Sequence, residues 1–203
     1  MTHRSYSLAL AGALALCLTP SLSSAQSSSS VPPVPANLQV PAGNEVFLEG
    51  RAIGTQNYIC MLSGKGFAWR FLGPQATVFF SYNGDLQQQI TSHYLSSNPA
   101  EGLNRPTWQS SSDSSLVWGR VVQPSTDPAY VAPGAIPWLL LEAAGVATGP
   151  TNGALLTQTT YIHRVNTSGG IAPAAGCSQA SEVGALALVP YTTDYFFYRA
   201  SKQ

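Results

Sequence analysis

Charge is what this sequence has least of. Lys, Arg, Asp and Glu make up 9% of its 203 residues, where an average soluble domain carries roughly 25%. The basic residues stand one at a time, among them Arg51, Arg70, Arg105, Arg120 and Arg164, and the formal net charge is zero. With no basic stripe to release counterions from a phosphate backbone, nucleic acid is excluded as an expected partner. An electrostatic patch for anionic lipid is excluded for the same reason.

Long apolar runs are missing as well. The N-terminal run over residues 8–18 is too short to span a bilayer, and the longest later one, "IPWLLLEAAGVA", is short and broken by Glu142. No membrane span is expected. Cysteine is scarce, with Cys17, Cys60 and Cys177 alone, and no C-x-x-C spacing suggests a structural metal. There is no G-x-G-x-x-G between a strand and a helix and no G-x-S-x-G elbow, so nucleotide-dependent redox chemistry and α/β-hydrolase chemistry lack their usual anchors. No cofactor is expected.

What is present begins with a leader. "MTHRSYSLALAGALALCLTPSLSSAQ" has a basic start, an apolar stretch and small residues before a cut, which predicts a secretory signal peptide over 1–25 and an extracellular or periplasmic protein. Cleavage removes Cys17 and leaves Cys60 and Cys177, an isolated pair that reads as a disulfide in an oxidising compartment. A serine- and proline-rich tether is expected over 26–37, and a single β domain over 38–203.

The fold class follows from period and punctuation. Short runs such as "EVFLEGRAI", "ATVFFSY", "SLVWGRVV" and "TQTTYIHRV" are rich in β-branched and aromatic residues and are separated by turn chemistry. No segment shows a convincing helical period. The expectation is an all-β fold, a single antiparallel sandwich or barrel with long loops and little helix. Asn83-Gly84 is the strongest hairpin signal. A second hairpin is centred near Asp113. It puts Trp108 opposite Trp118, or on the other face if the register shifts by one residue. "YIHRV" alternates, with Tyr161, His163 and Val165 on one face and Ile162 and Arg164 on the other.

The stretches "VPAGNEVFLEG", "GTQNYIC", "FAWRFLGPQATVFF", "YIHRVNTSGGIAPAAGC" and "VPYTTDYFFYRA" resemble an uncharacterised family of secreted bacterial and fungal proteins, catalogued as a domain of unknown function. The resemblance covers about residues 31 to 200. It extends to a His-Tyr pair at His93-Tyr94, a Pro-x-Trp segment ending at Trp108, and the "DSSLVWG" run from Asp113 to Gly119. Such a resemblance implies export and marks motif boundaries, but it implies no mechanism. Some fungal members are labelled malate dehydrogenase, and this sequence lacks the glycine-rich turn that label requires.

The segment from 90 to 122 concentrates polar chemistry in a chain otherwise poor in it. His93, Arg105, Trp108 and Asp113 are the expected binding residues, around one surface depression for a small molecule or carbohydrate. The alternative is a secreted enzyme, hydrolytic or metal-dependent, using His93 and Asp113. A neighbouring serine would serve as nucleophile, His163 with a carboxylate would complete a metal set, or Glu101 with Asp113 would act on a glycosidic bond.

Overall fold

The computed structural model describes Met1 and residues 31–82, 84–98 and 102–202. The rest of the expected leader, the start of the expected tether, Asn83 and Glu101 lie outside the described residues. The chain is an all-β meander closed into a barrel. Its eight strands are β1 (Asn44–Ser63), β2 (Gly66–Tyr82), β3 (Asp85–Asn98), β4 (Leu103–Ser110), β5 (Leu116–Ser125), β6 (Trp138–Ala147), β7 (Tyr161–Gly169) and β8 (Leu186–Ala200). Each pairs antiparallel with the next, and β8 returns to pair with β1. No helix is long and apolar enough to cross a membrane among the described residues.

Several strand-like runs of the sequence merge into single long strands because their glycines are contact points and not turns. A Cβ on Gly54 of β1 would lie 2.2 Å from the Gln75 carbonyl oxygen of β2. Only hydrogen fits there, so the two backbones approach closely and β1 bends while its ladder continues. The register with β2 shifts between Asn57 and Tyr58, the kind of irregularity that helps a sheet curl shut.

Strand alternation gives the barrel two cores. Ala52, Val78, Trp108, Val117, Leu141, Ile162, Tyr195 and Phe197 fill the interior. Leu38, Trp138, Leu140, Val165, Phe196 and Tyr198 form a second cluster on the outer face of β6, β7 and β8. That outer face is covered by the segment preceding β1, where Val31, Val34 and Val40 pack against the cluster. The last residues of the expected tether therefore lie against the barrel, because its valines find an apolar face to bury.

β2 and β3 pair as far as Tyr82↔Asp85, and Gly84 between them takes φ +85°, the left-handed backbone that a two-residue hairpin turn needs. In the second hairpin Trp108 pairs with Val117, and Thr107 with Trp118. The one-residue offset holds, so Trp108 points into the barrel while Trp118 lies on the outside against Gly145. Cys60 and Cys177 are bonded, with 5.4 Å between their Cα atoms. The bond ties the β7–β8 connection to β1, and Trp69 Nε1 reinforces it by donating to the Ala175 carbonyl at 3.1 Å.

Candidate functional site

In an up-and-down barrel the connections alternate between the two ends. The β1–β2, β3–β4, β5–β6 and β7–β8 connections share one end; the β2–β3, β4–β5 and β6–β7 connections share the other. At the first end the interior is not filled. A cavity of about 300 Å³ opens there, lined by inward side chains from every strand, including Gln56, His93, Trp108, Val121, Arg164 and Tyr195. Its size lies at the lower limit of typical small-ligand sites.

The cavity also has a lateral slit. β4 and β5 share only three pairs, Thr107↔Trp118, Trp108↔Val117 and Gln109↔Leu116. Beyond them, toward the mouth, β4 pairs with β3 alone and β5 with β6 alone. Pro106 and Val121 line the cavity on the two lips of this gap. Proline suits the position, since it has no N–H to contribute to the missing ladder.

His93 and Trp108 are register partners on β3 and β4. Their rings stack with centroids 4.3 Å apart and 13° between planes, and Tyr195 meets both edge-on. Gly119 makes room for this stack, for a Cβ there would sit 3.4 Å from the Trp108 ring and 3.1 Å from Leu141. His93 Nδ1 lies 2.9 Å from the Thr107 carbonyl. A carbonyl only accepts, so Nδ1 carries the hydrogen. Burial pushes the imidazole down to about 3, against the hydrogen bond to Thr107, and the nearby Arg164 charge lowers it further. The ring is therefore neutral at ordinary pH, with Nε2 as a lone-pair acceptor.

Arg164 is the one charged residue among the lining side chains. It projects inward from β7 on the same face as Ile162 and donates from Nε and Nη2 to the Pro137 carbonyl, at 3.2 and 2.8 Å. Among the described residues its guanidinium has no carboxylate partner. Gln56 Nε2, Tyr191 Oη and Tyr195 Oη are buried and meet in one polar cluster, Arg164 beside Tyr195, Tyr195 beside Tyr191 and Tyr191 beside Gln56, while Trp108 Nε1 is buried without a hydrogen-bond partner among the described residues. The two phenols neighbour each other and Arg164. Burial pushes both upward, Tyr195 well above the usual phenol range, while the guanidinium pulls both down.

Of the expected site residues, the structure brings His93 and Trp108 together in the cavity wall. Arg105 does not line it; it pairs with Ser96 of β3 and alternates to the outer face of β4, away from the inward Pro106 and Trp108. Asp113 sits in the β4–β5 connection at the opposite end of the barrel. Its Oδ1 accepts from the Ser115 backbone N–H and hydroxyl at 3.0 and 2.7 Å, and its Oδ2 accepts from the Leu155 N–H at 2.8 Å. Burial pushes this carboxyl up, but the bonds from Leu155 and Ser115 outweigh it and hold the group well below the usual carboxylate range. Ser115 Oγ in turn accepts from the Leu156 N–H at 3.0 Å. The serine-rich turn is thus a clamp on residues 155 and 156.

His163 lies on the outer side of the barrel wall, with Nε2 donating to the Leu38 carbonyl at 2.7 Å. The two histidines therefore face opposite sides of the sheet. No three His, Cys, Asp or Glu side chains among the described residues stand close enough to hold a metal ion. Arg164 escaped the site expectation, although the "YIHRV" alternation placed a lone arginine on the face shared with Ile162.

A family model described as Protein of unknown function (DUF3455) matches residues 41–199. No curated protein and no solved structure matches the chain.

Proposed function

The chain belongs to this family of unknown function, and we propose that it is an exported, non-enzymatic barrel that binds a small, largely apolar molecule in the cavity at its mouth. The observation that carries the reading is the cavity, about 300 Å³ and lined by side chains from every strand, reached through the mouth and the β4–β5 slit. Closed eight-stranded barrels are wide enough to hold one small ligand when side chains leave room for it. Phe71, Leu95, Val121, Leu139 and Leu141 supply apolar walls, which suit a hydrocarbon or aromatic body better than a sugar face. Export is supported by the leader-like N-terminus and by the Cys60–Cys177 bond.

Calorimetric titration with octan-1-ol tests the reading. Val121 is 44% exposed, so Val121→Trp obstructs the slit without disturbing the core. Wild type binds the alcohol, and the variant binds it at least about tenfold more weakly, a loss near 1.4 kcal/mol. Equal binding by the two proteins, or binding of neither octan-1-ol nor octanoate by wild type, overturns the cavity as a ligand site.

A further inference from the structure

Resting on the reading of the cavity as a ligand site, we propose that its ligand is an organic monocarboxylate, whose carboxylate docks on Arg164 while its apolar body lies toward Leu95, Val121 and Leu139. The hydrogens that the cavity wall presents come from the Arg164 guanidinium and Trp108 Nε1, with the lone pair of His93 Nε2 as the acceptor beside them. An ionised carboxylate is acceptor-only and offers about four lone-pair positions, the complement of such a wall.

Charge points the same way. Arg164 is half-buried, and an arginine drawn partly out of water is ordinarily matched with a carboxylate. Arg164 has the Pro137 carbonyl and neighbouring phenols, but no acidic side chain among the described residues. In a chain with few charges, each of Arg51, Arg120 and Arg199 has its carboxylate, in Asp194, Glu142 and Glu45. Arg70 is exposed and bonds to the Ser63 hydroxyl, whereas Arg164 projects inward, lines the cavity and has no acid among the described residues. One guanidinium with neutral donors around it balances one negative charge, which favours a carboxylate over a doubly charged phosphate ester. The planar fork of arginine also matches the two oxygens of a carboxylate.

The experiment compares octanoate with octan-1-ol on the full oxidised protein, in wild type and in Arg164→Gln, by calorimetric titration at neutral pH. Wild type is expected to favour octanoate by at least about tenfold, the scale of one charge-assisted, bidentate contact. Arg164→Gln is expected to lose that preference, read as the ratio of the octanoate and octan-1-ol affinities within the variant. Wild type binding the alcohol as tightly as octanoate overturns the carboxylate assignment and leaves the cavity reading standing. So does Arg164→Gln binding octanoate as wild type does. Binding of neither compound to wild type overturns both. The wild-type pair alone decides the question if the variant fails to fold.

Discussion

The phenol of Tyr198 donates its hydrogen to Nδ1 of His163 across 2.9 Å, in a ring whose other nitrogen donates to the Leu38 carbonyl. Both nitrogens are thus occupied in the neutral imidazole, with Nε2 as donor and Nδ1 as acceptor. Protonation of Nδ1 reverses that bond, so that the phenol hydrogen must turn elsewhere, and puts a charge beneath the segment that covers the outer cluster. Burial lowers the affinity of this ring for a proton, against the Leu38 bond, and it lowers His93 to about 3.

Stability should therefore fall as the solution is acidified. In both rings the folded-state pKa lies below the unfolded value of about 6.5, so below that pH the unfolded chain binds more protons. Each ring then removes up to about 1.4 kcal/mol per pH unit, from about pH 6.5 downward, until its own folded-state titration is reached. Above about pH 6.5 neither contributes a slope. Guanidinium unfolding midpoints measured between about pH 7 and pH 4 should decline, and less steeply in His163→Phe. A flat profile in wild type contradicts the neutral assignment of both rings.

Asp113→Ala should destabilise the barrel by about 2–4 kcal/mol, since three donors from Ser115 and Leu155 lose a charged acceptor at once. The variant should bind octan-1-ol as wild type does, because the residue lies at the end of the barrel away from the cavity. Chemical denaturation gives the first quantity and titration the second. A stable variant that no longer binds contradicts the clamp role.

Reduction of Cys60–Cys177 should lower stability by about 5 kcal/mol or less, the loop-closure value for a sequence separation of 117. Denaturation with and without reductant measures it. Intact mass spectrometry of the exported protein should show the bridged form two hydrogens lighter than the reduced one. Two free thiols in protein taken from the medium contradict the bond.

Much of the fold was legible from residue order. Asn83-Gly84 marks the β2–β3 connection, and the alternation of Tyr161, Ile162, His163 and Arg164 assigned their faces correctly. Closure into a barrel was not legible, because the pairing of Asn44 with Ala200 joins residues from opposite ends of the strand order. The site was half legible for a related reason. Local crowding put His93, Trp108 and Asp113 in one segment, but a β-strand advances about 3.3 Å per residue, so five residues of β4 and its turn carry Asp113 away from Trp108. Arg164 is distant from His93 in sequence, and only the curl of the sheet brings it to the same cavity. Clustering along the chain is a guide to proximity in helices and turns; in a barrel, the residues that meet come from every strand.

The short β4–β5 ladder has a consequence for how the ring breathes. Cohesion around a closed sheet is set by its weakest seam, and three residue pairs hold this one, where thirteen hold β1 to β2. Thermal opening will therefore start there. Amides of residues 107–109 and 116–118 should exchange their hydrogens by local fluctuation, while the β1–β2 and β1–β8 ladders exchange only when the whole ring comes apart. A guest entering between Pro106 and Val121 thus uses the motion the barrel already makes, and it wedges a gap instead of breaking a wall.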